Sequence, residues 1–442
     1  MRNSYYILVL LLLFLVIGCS REVAIPEKSA DSPTELDSNH AENRANKVEE
    51  DNEQDFDNTE SVEPDRVPSI DDETDKYKSE LMSMNLEQKI GQLIISGFSG
   101  TELSREETQL IASGRIGGVI LFKQNIESKK QLLELINDIK SNNPVENRPL
   151  FISLDEEGGR VSRLPEGKTE FPSSLMIGKK GDSALSEEVG RVIGEEAGAF
   201  GFNVDYAPVL DIFSNPDNTV IGDRAYGTTA AEVSVHGIAV MKGLQKSGMI
   251  SAIKHFPGHG DTSVDSHESL PVVNKTKAQL EERELIPFRE AIEEGADMIM
   301  VAHIKYPKID SSGKPASLSS VMVQDILRED LGYEGVVITD DLEMGAIEQN
   351  YGSGEAAVMA LEAGVDILLF GHTPDKASEA YEAILTAVET GRLTEAEIDE
   401  HVLRILKLKE KYIQSDEKLT EDALTKFGSD EHQQVANRIK QN

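Results

Sequence analysis

At 442 residues the chain has room for one large domain or two ordinary ones. Its formal net charge of -36, with no basic stripe, argues against nucleic acid as a partner. Cys19 is the only cysteine, so no intrachain disulfide can form and stability must come from the core.

The chain opens with a short charged start. Arg2 precedes a nearly unbroken apolar run from Tyr5 to Ile17, which ends in Gly18-Cys19. This is the pattern of a secretory signal, over residues 1–18. The run is shorter than the ~20 residues of a comfortable bilayer span. A lone cysteine just after a glycine at the end of a signal resembles a bacterial lipobox. The resemblance implies cleavage before Cys19 and a diacylglyceryl thioether on it, giving stable attachment through more than one acyl chain. An uncleaved anchor helix is the alternative. Either way, the remaining chain is expected outside the cytoplasm, lipid-anchored to the cell membrane. From Arg21 to Lys78 acidic residues outnumber basic ones and no apolar period appears. Residues 19–78 are therefore expected to be a disordered acidic linker.

From about Asp75 the character changes. Short runs rich in Ile and Val span Gly91–Gly97, Gly117–Phe122, Leu150–Leu154, Asn203–Val209, Ile250–His255, Asp297–His303, Gly335–Thr339 and Val365–Phe370. Amphipathic patterns separate them, such as Lys129–Lys140, Ser186–Ala199, Glu232–Ser247 and Lys277–Glu294. Eight strand–helix units predict an α/β fold, a (β/α)8 TIM-type barrel forming a single catalytic domain over residues 79–414. A doubly wound open sheet is the competing architecture. Residues 415–442 read as a polar C-terminal tail.

In a barrel the chemistry sits where strands end. Just past the runs come Asp155-Glu156-Glu157-Gly158-Gly159-Arg160, Asp211, Gly222-Asp223-Arg224, Asp340-Asp341 and His372, while the fifth run ends in Lys254-His255 and the sixth in His303. Polar groups gathered at one rim are what an active site looks like. Lys254–Pro271 is the densest stretch, with His255, His259, His267, Asp261 and Asp265 around Pro257. Three histidines suggest zinc, but Pro257 and two glycines break any helical ligand spacing. No metal and no cofactor are expected.

Asp340 lies at the tip of a buried run and could face an anomeric carbon. A retaining glycosidase needs a proton donor as well, ~5–5.5 Å away in the usual carboxylate pair. No Asp or Glu is an obvious donor. Asp265-Ser266-His267 offers another solution, because residues i and i+2 of an extended loop project to one side. The charge of Asp265 would favour the protonated form of His267. Loss of the Asp340 charge on glycosylation would then suit a base role. A loop-stabilising hydrogen bond without chemistry is the plainer reading of the pair.

These residues resemble a known family. Lys254–His267 matches the KH(F/I)PGHG(D/N)TxxDSH signature of the β-N-acetylhexosaminidases of glycoside hydrolase family 3. LDEEGGRV at Leu154–Val161, VIGDRAYG at Val220–Gly227 and VVITDDLEMGAI at Val336–Ile347 look like its other motifs, in order, between about Met82 and Tyr412. The resemblance implies Asp340 as nucleophile and Asp265–His267 as the acid/base dyad. It implies Asp155, Arg224, Lys254 and His255 as ligands of the sugar hydroxyls. Glu156 departs from the family's frequent Gln, and Tyr226 from its Phe. With no Trp in the chain, sugar stacking is expected on Tyr206, Tyr226 or Phe256. His259 and Asp261 are expected to shape the loop.

The expected protein is a monomeric, lipid-anchored exo-β-N-acetylglucosaminidase acting on cell-wall glycan fragments or muropeptides. A phosphorylase or β-glucosidase of the same family is the enzymatic alternative. A lipoprotein that binds sugar without cleaving it is the non-enzymatic one.

Overall fold

The computed structural model describes residues 70–144, 147–262 and 270–441. The signal segment, Cys19, most of the acidic linker, Asp265 and His267 lie outside the described residues.

Every apolar run contains a strand: β1 Ile94–Gly97, β2 Gly118–Ile120, β3 Phe151–Leu154, β4 Val204–Asp205, β5 Ile250–Phe256, β6 Met298–Val301, β7 Val336–Thr339 and β8 Leu368–Phe370. All pair in parallel, each with its sequence neighbour, and β8 returns to β1. A bridge between Ile338 and Ile367 joins β7 to β8, with Thr339 N–H donating to Ile367 O at 3.0 Å. The sheet therefore closes on itself as a (β/α)8 barrel, and the open-sheet alternative is excluded. The strand residues are buried throughout, which is why they read as continuous apolar runs rather than alternating ones.

The helices form the outer layer, and many of them start from side-chain caps. Thr229 accepts from the Glu232 amide while Glu232 accepts from the Thr229 amide, opening the helix Ala230–Lys246. That helix packs very close to Ser183–Gly198. A Cβ on Gly190 would lie 2.1 Å from Val240 O, and one on Gly243 would lie 2.1 Å from Glu187 O. Glycine is thus required at both points of contact.

The helices Ile70–Ser83 and Leu86–Gln92 precede β1 and both pack against the helix Glu395–Tyr412. Lys76 pairs with Glu410, and Glu80 with Arg148 just ahead of β3. The first helix begins inside the stretch 19–78, so the expected linker is too long by about two turns. Beneath the strands Lys409 is buried and donates to Gln92 Oε1 at 2.7 Å and Gly117 O at 3.0 Å. Burial pushes its ammonium down to about 7.

Residues 415–442 correct a second expectation. They are not simply a polar tail, for they carry a 3-10 turn, Glu421–Lys426, and a helix, Asp430–Lys440. His432, Val435, Ala436 and Ile439 form that helix's buried face. Phe427 meets Phe200 edge-on, 5.0 Å between centroids. His432 lies between two carboxylates, with Nδ1 2.9 Å from Glu196 and Nε2 3.1 Å from Glu195. Glu196 also accepts from the amide and hydroxyl of Thr169 and from the amide of Gly428. Among the described residues, no helix is long and apolar enough to cross a membrane.

Candidate active site

The strand ends surround a cavity of about 250 Å³. One wall is a lattice of opposite charges. The chain leaves β3 through Asp155 and Glu157, β5 presents Lys254, and the turn Gly222–Arg224 presents Arg224. Lys254 Nζ sits 2.6 Å from Asp155 Oδ1 and 2.7 Å from Glu157 Oε1. Arg224 grips both oxygens of Glu157, at 2.7 Å each. Burial opposes charge on Glu157, but Arg224 and Lys254 outweigh it and hold the carboxyl far below the usual carboxylate range. Lys254 is buried too, and Asp155 and Glu157 overcome the desolvation and raise its affinity for the proton. All four groups meet with charge-assisted geometry.

Two turns support this wall. Gly158 and Gly159 have φ of 74° and 55°, so the chain can reverse directly after Glu157. Arg160 then crosses to the neighbouring loop. It pairs with Asp223 at 2.9 Å and donates to the carbonyls of Thr219, Val220 and Ile221. Glu156, the departure from the family pattern, points under the turn and accepts the amides of Arg163 and Leu164. Burial pushes its carboxyl up. It shapes the loop without lining the cavity.

The histidines divide as follows. His255 Nδ1 is 2.6 Å from Asp211 Oδ2, and the His259 amide donates to Asp211 Oδ1 at 2.6 Å. Burial would raise the Asp211 carboxyl, but His255 and His259 hold it low. His259 itself is driven toward the neutral form by burial and by the neighbouring His255. Its Nδ1 meets Thr262 Oγ1 at 2.9 Å. Asp261 pairs with Lys275, which also reaches Glu284. His259 and Asp261 both make loop contacts, and His259 also lines the cavity. Among the described residues, no group of three His, Cys, Asp or Glu side chains is placed to hold a metal.

Asp340 follows β7 directly and lines the cavity, half-buried. Its amide donates to Val301 O at 2.9 Å, and its Oδ1 accepts the Asp341 amide at 2.8 Å. Asp341 Oδ1 accepts the amides of Glu343 and Gly371. Burial pushes the Asp341 carboxyl up to about 6. The cavity thus brings Asp155, Arg224, Lys254, His255 and Asp340 together.

The aromatic residues need correction. Phe256 packs on Phe288 in the core, and Tyr226 is buried away from the cavity. Tyr206 lines the cavity but is fully buried, with its hydroxyl on Ser153. At the rim stands Phe122 instead, 4.7 Å from the His372 ring and 5.9 Å from the Arg163 guanidinium. Sequence reasoning missed Glu157 as well, although it lies in LDEEGGRV, and gave Asp211 no role. A fixed carboxylate facing a wall of donors and acceptors can bind a polyhydroxylated ring and attack its anomeric carbon.

Comparisons with known proteins identify the family. Residues 85–408 match the family described as Glycosyl hydrolase family 3 N terminal domain. The chain is 38% identical over 339 residues to Beta-hexosaminidase A of Pseudoalteromonas piscicida, covering 71% of this chain and 56% of that one. It is 39% identical over 286 residues to a Beta-hexosaminidase of Methylobacillus flagellatus, covering 63% of this chain and 80% of that one. Among solved structures, a family 3 beta-N-acetylglucosaminidase from Paenibacillus sp. str. FPU-7 superposes with a TM-score of 0.75 at 42% identity, covering 80% and 68% of the two chains. Beta-glucoside phosphorylase BglX superposes at 0.74 with 26% identity, covering 84% and 66%.

Proposed function

Since the chain belongs to glycosyl hydrolase family 3, we propose that it is a retaining exo-β-N-acetylglucosaminidase with Asp340 as nucleophile. The observation that carries this reading is one cavity shared by Asp340 and the wall of Asp155, Lys254, Glu157 and Arg224. In the proposed reaction Asp340 attacks the anomeric carbon and the glycosidic oxygen leaves with a proton. A glycosyl ester on Asp340 forms, and water then opens it. His267, oriented by Asp265, gives the first proton and takes one from the water. Asp155, Lys254, Arg224 and His255 hold the hydroxyls so that binding energy is used in alignment. The substrate we propose is terminal N-acetylglucosamine on cell-wall glycan fragments or muropeptides. Lipid on Cys19 would hold the enzyme outside the cytoplasmic membrane.

The test is turnover of an aryl N-acetyl-β-glucosaminide. Asp340→Asn should lower kcat by ~10⁴-fold or more, the scale of losing a nucleophile. Near wild-type turnover would reject the reading. Replacing His267 with Ala should hurt poor leaving groups more than good ones, since only the former need protonation. The phosphorylase among the structural neighbours supports a second reading. Sugar 1-phosphate formed in phosphate buffer would favour it, and free sugar alone would favour hydrolysis.

A further inference from the structure

We propose that His303, with Ser317 behind it, is a positioning residue that fixes the backbone carrying the Asp340 nucleophile. The inference rests on the reading of Asp340 given above.

His303 follows β6 and is completely buried. Its Nε2 is 2.9 Å from the carbonyl oxygen of Asp341, and its Nδ1 is 2.7 Å from Ser317 Oγ. A carbonyl can only accept, so Nε2 carries the hydrogen. The Ser317 hydroxyl meets Nδ1, as donor to a neutral ring or acceptor from a charged one, and holds the ring so that Nε2–H faces the carbonyl. Ser317 is itself held by the turn Ala316–Leu318, with its amide on Ala302 O at 3.3 Å.

The contact acts on a single peptide plane. The unit joining Asp341 to Leu342 has its carbonyl on His303 and its amide on Leu369 O at 2.9 Å. A planar unit anchored on both edges cannot swing. One residue back, the Asp341 amide holds Asp340 Oδ1, and the Asp340 amide is held by Val301 O. β6 therefore grips the segment twice, once by main chain and once by the imidazole. Attack on a sugar needs the oxygen within ~3–3.5 Å of the carbon, and a shift of ~1 Å can cost ~10²-fold in rate.

The experiment measures three quantities on the full chain: kcat with a dinitrophenyl N-acetyl-β-glucosaminide, the inhibition constant of free N-acetylglucosamine, and the rate at which a fluorinated glycosyl fluoride labels Asp340. The expected result for His303→Leu is a ~10²-fold fall in kcat and in labelling, with the inhibition constant unchanged. His303→Gln, whose amide can donate to the same carbonyl, should recover much of both. Ser317→Ala should fall between the two, which keeps the inference open to test if the Leu variant does not fold. Wild-type labelling in His303→Leu overturns the inference, as does an inhibition constant that weakens in step with kcat. Label on a residue other than Asp340 in the wild type overturns the nucleophile reading, and this inference with it.

Discussion

Arg224 and Glu157 meet in a parallel two-bond pair, both contacts 2.7 Å, with Lys254 seated against the same carboxylate. Glu157 is the least dispensable of the three, because both cations lean on it in a buried place. Removing one partner of a buried pair leaves an uncompensated charge and costs ~3–5 kcal/mol. Glu157→Gln keeps the shape and loses the charge. It should lower the unfolding free energy by ~3 kcal/mol in denaturant titration and raise KM. A variant with unchanged KM would show that the wall does not bind substrate.

Asp211 joins the two histidines of the β5 end. Asp211→Asn weakens a charge-assisted bond worth ~1.5–3 kcal/mol. Steady-state kinetics should show kcat/KM reduced ~10- to 10²-fold, because His255 loses its fixed orientation. The fall should be larger than for Asp261→Asn, whose contacts lie further out along the loop.

Asp341 gives a pH signature. Its carboxyl moves from an ordinary 3.8 up to about 6 on folding, because it is buried. Between these values the folded state binds more protons than the unfolded one, so stability falls as pH rises through the window. Asp341→Asn removes that dependence. Relative to wild type it should gain stability from pH 3.8 to about 6, by up to ~3 kcal/mol, read by urea unfolding at each pH. Parallel curves for the two proteins would contradict the assignment.

The barrel strands were legible because each is buried on both faces, so VVIT at Val336–Thr339 and its counterparts stand out against amphipathic neighbours. Asp155 and Asp340 were legible because each directly follows a strand, Lys254 and His255 because they stand near the end of one, and Arg224 because it lies in a motif. Other features were not. The helix Asp430–Lys440 buries few apolar side chains and covers its inner face partly with His432, so its pattern looks polar. Phe122 contributes by its position against His372 and Arg163, which no local pattern encodes. Tyr226 and Phe256 show the converse, being aromatic residues within motifs that serve packing.

The C-terminal helix is joined to the loop after β3 through Glu196, which holds Thr169, Gly428 and His432 together. His432→Leu removes one of the three donors gathered on Glu196 Oε1, a bond to a charged group worth ~1.5–3 kcal/mol. Hydrogen exchange should therefore quicken at Thr169 and Gly428 together, as well as in the helix itself. Acceleration confined to the helix would mean the two segments are not coupled.

The wall of the cavity holds two cations, Lys254 and Arg224, and two carboxylates, Asp155 and Glu157. Their charges cancel within a few ångströms, whereas the chain as a whole carries -36. A neutral sugar at the wall therefore meets strong hydrogen-bonding groups with almost no long-range field. A polyanionic glycan meets repulsion before it reaches them. Raising salt from ~0.01 M to ~1 M shortens the screening length from ~30 Å to ~3 Å. Affinity for N-acetylglucosamine should stay flat across that range, while capture of acidic chains should rise.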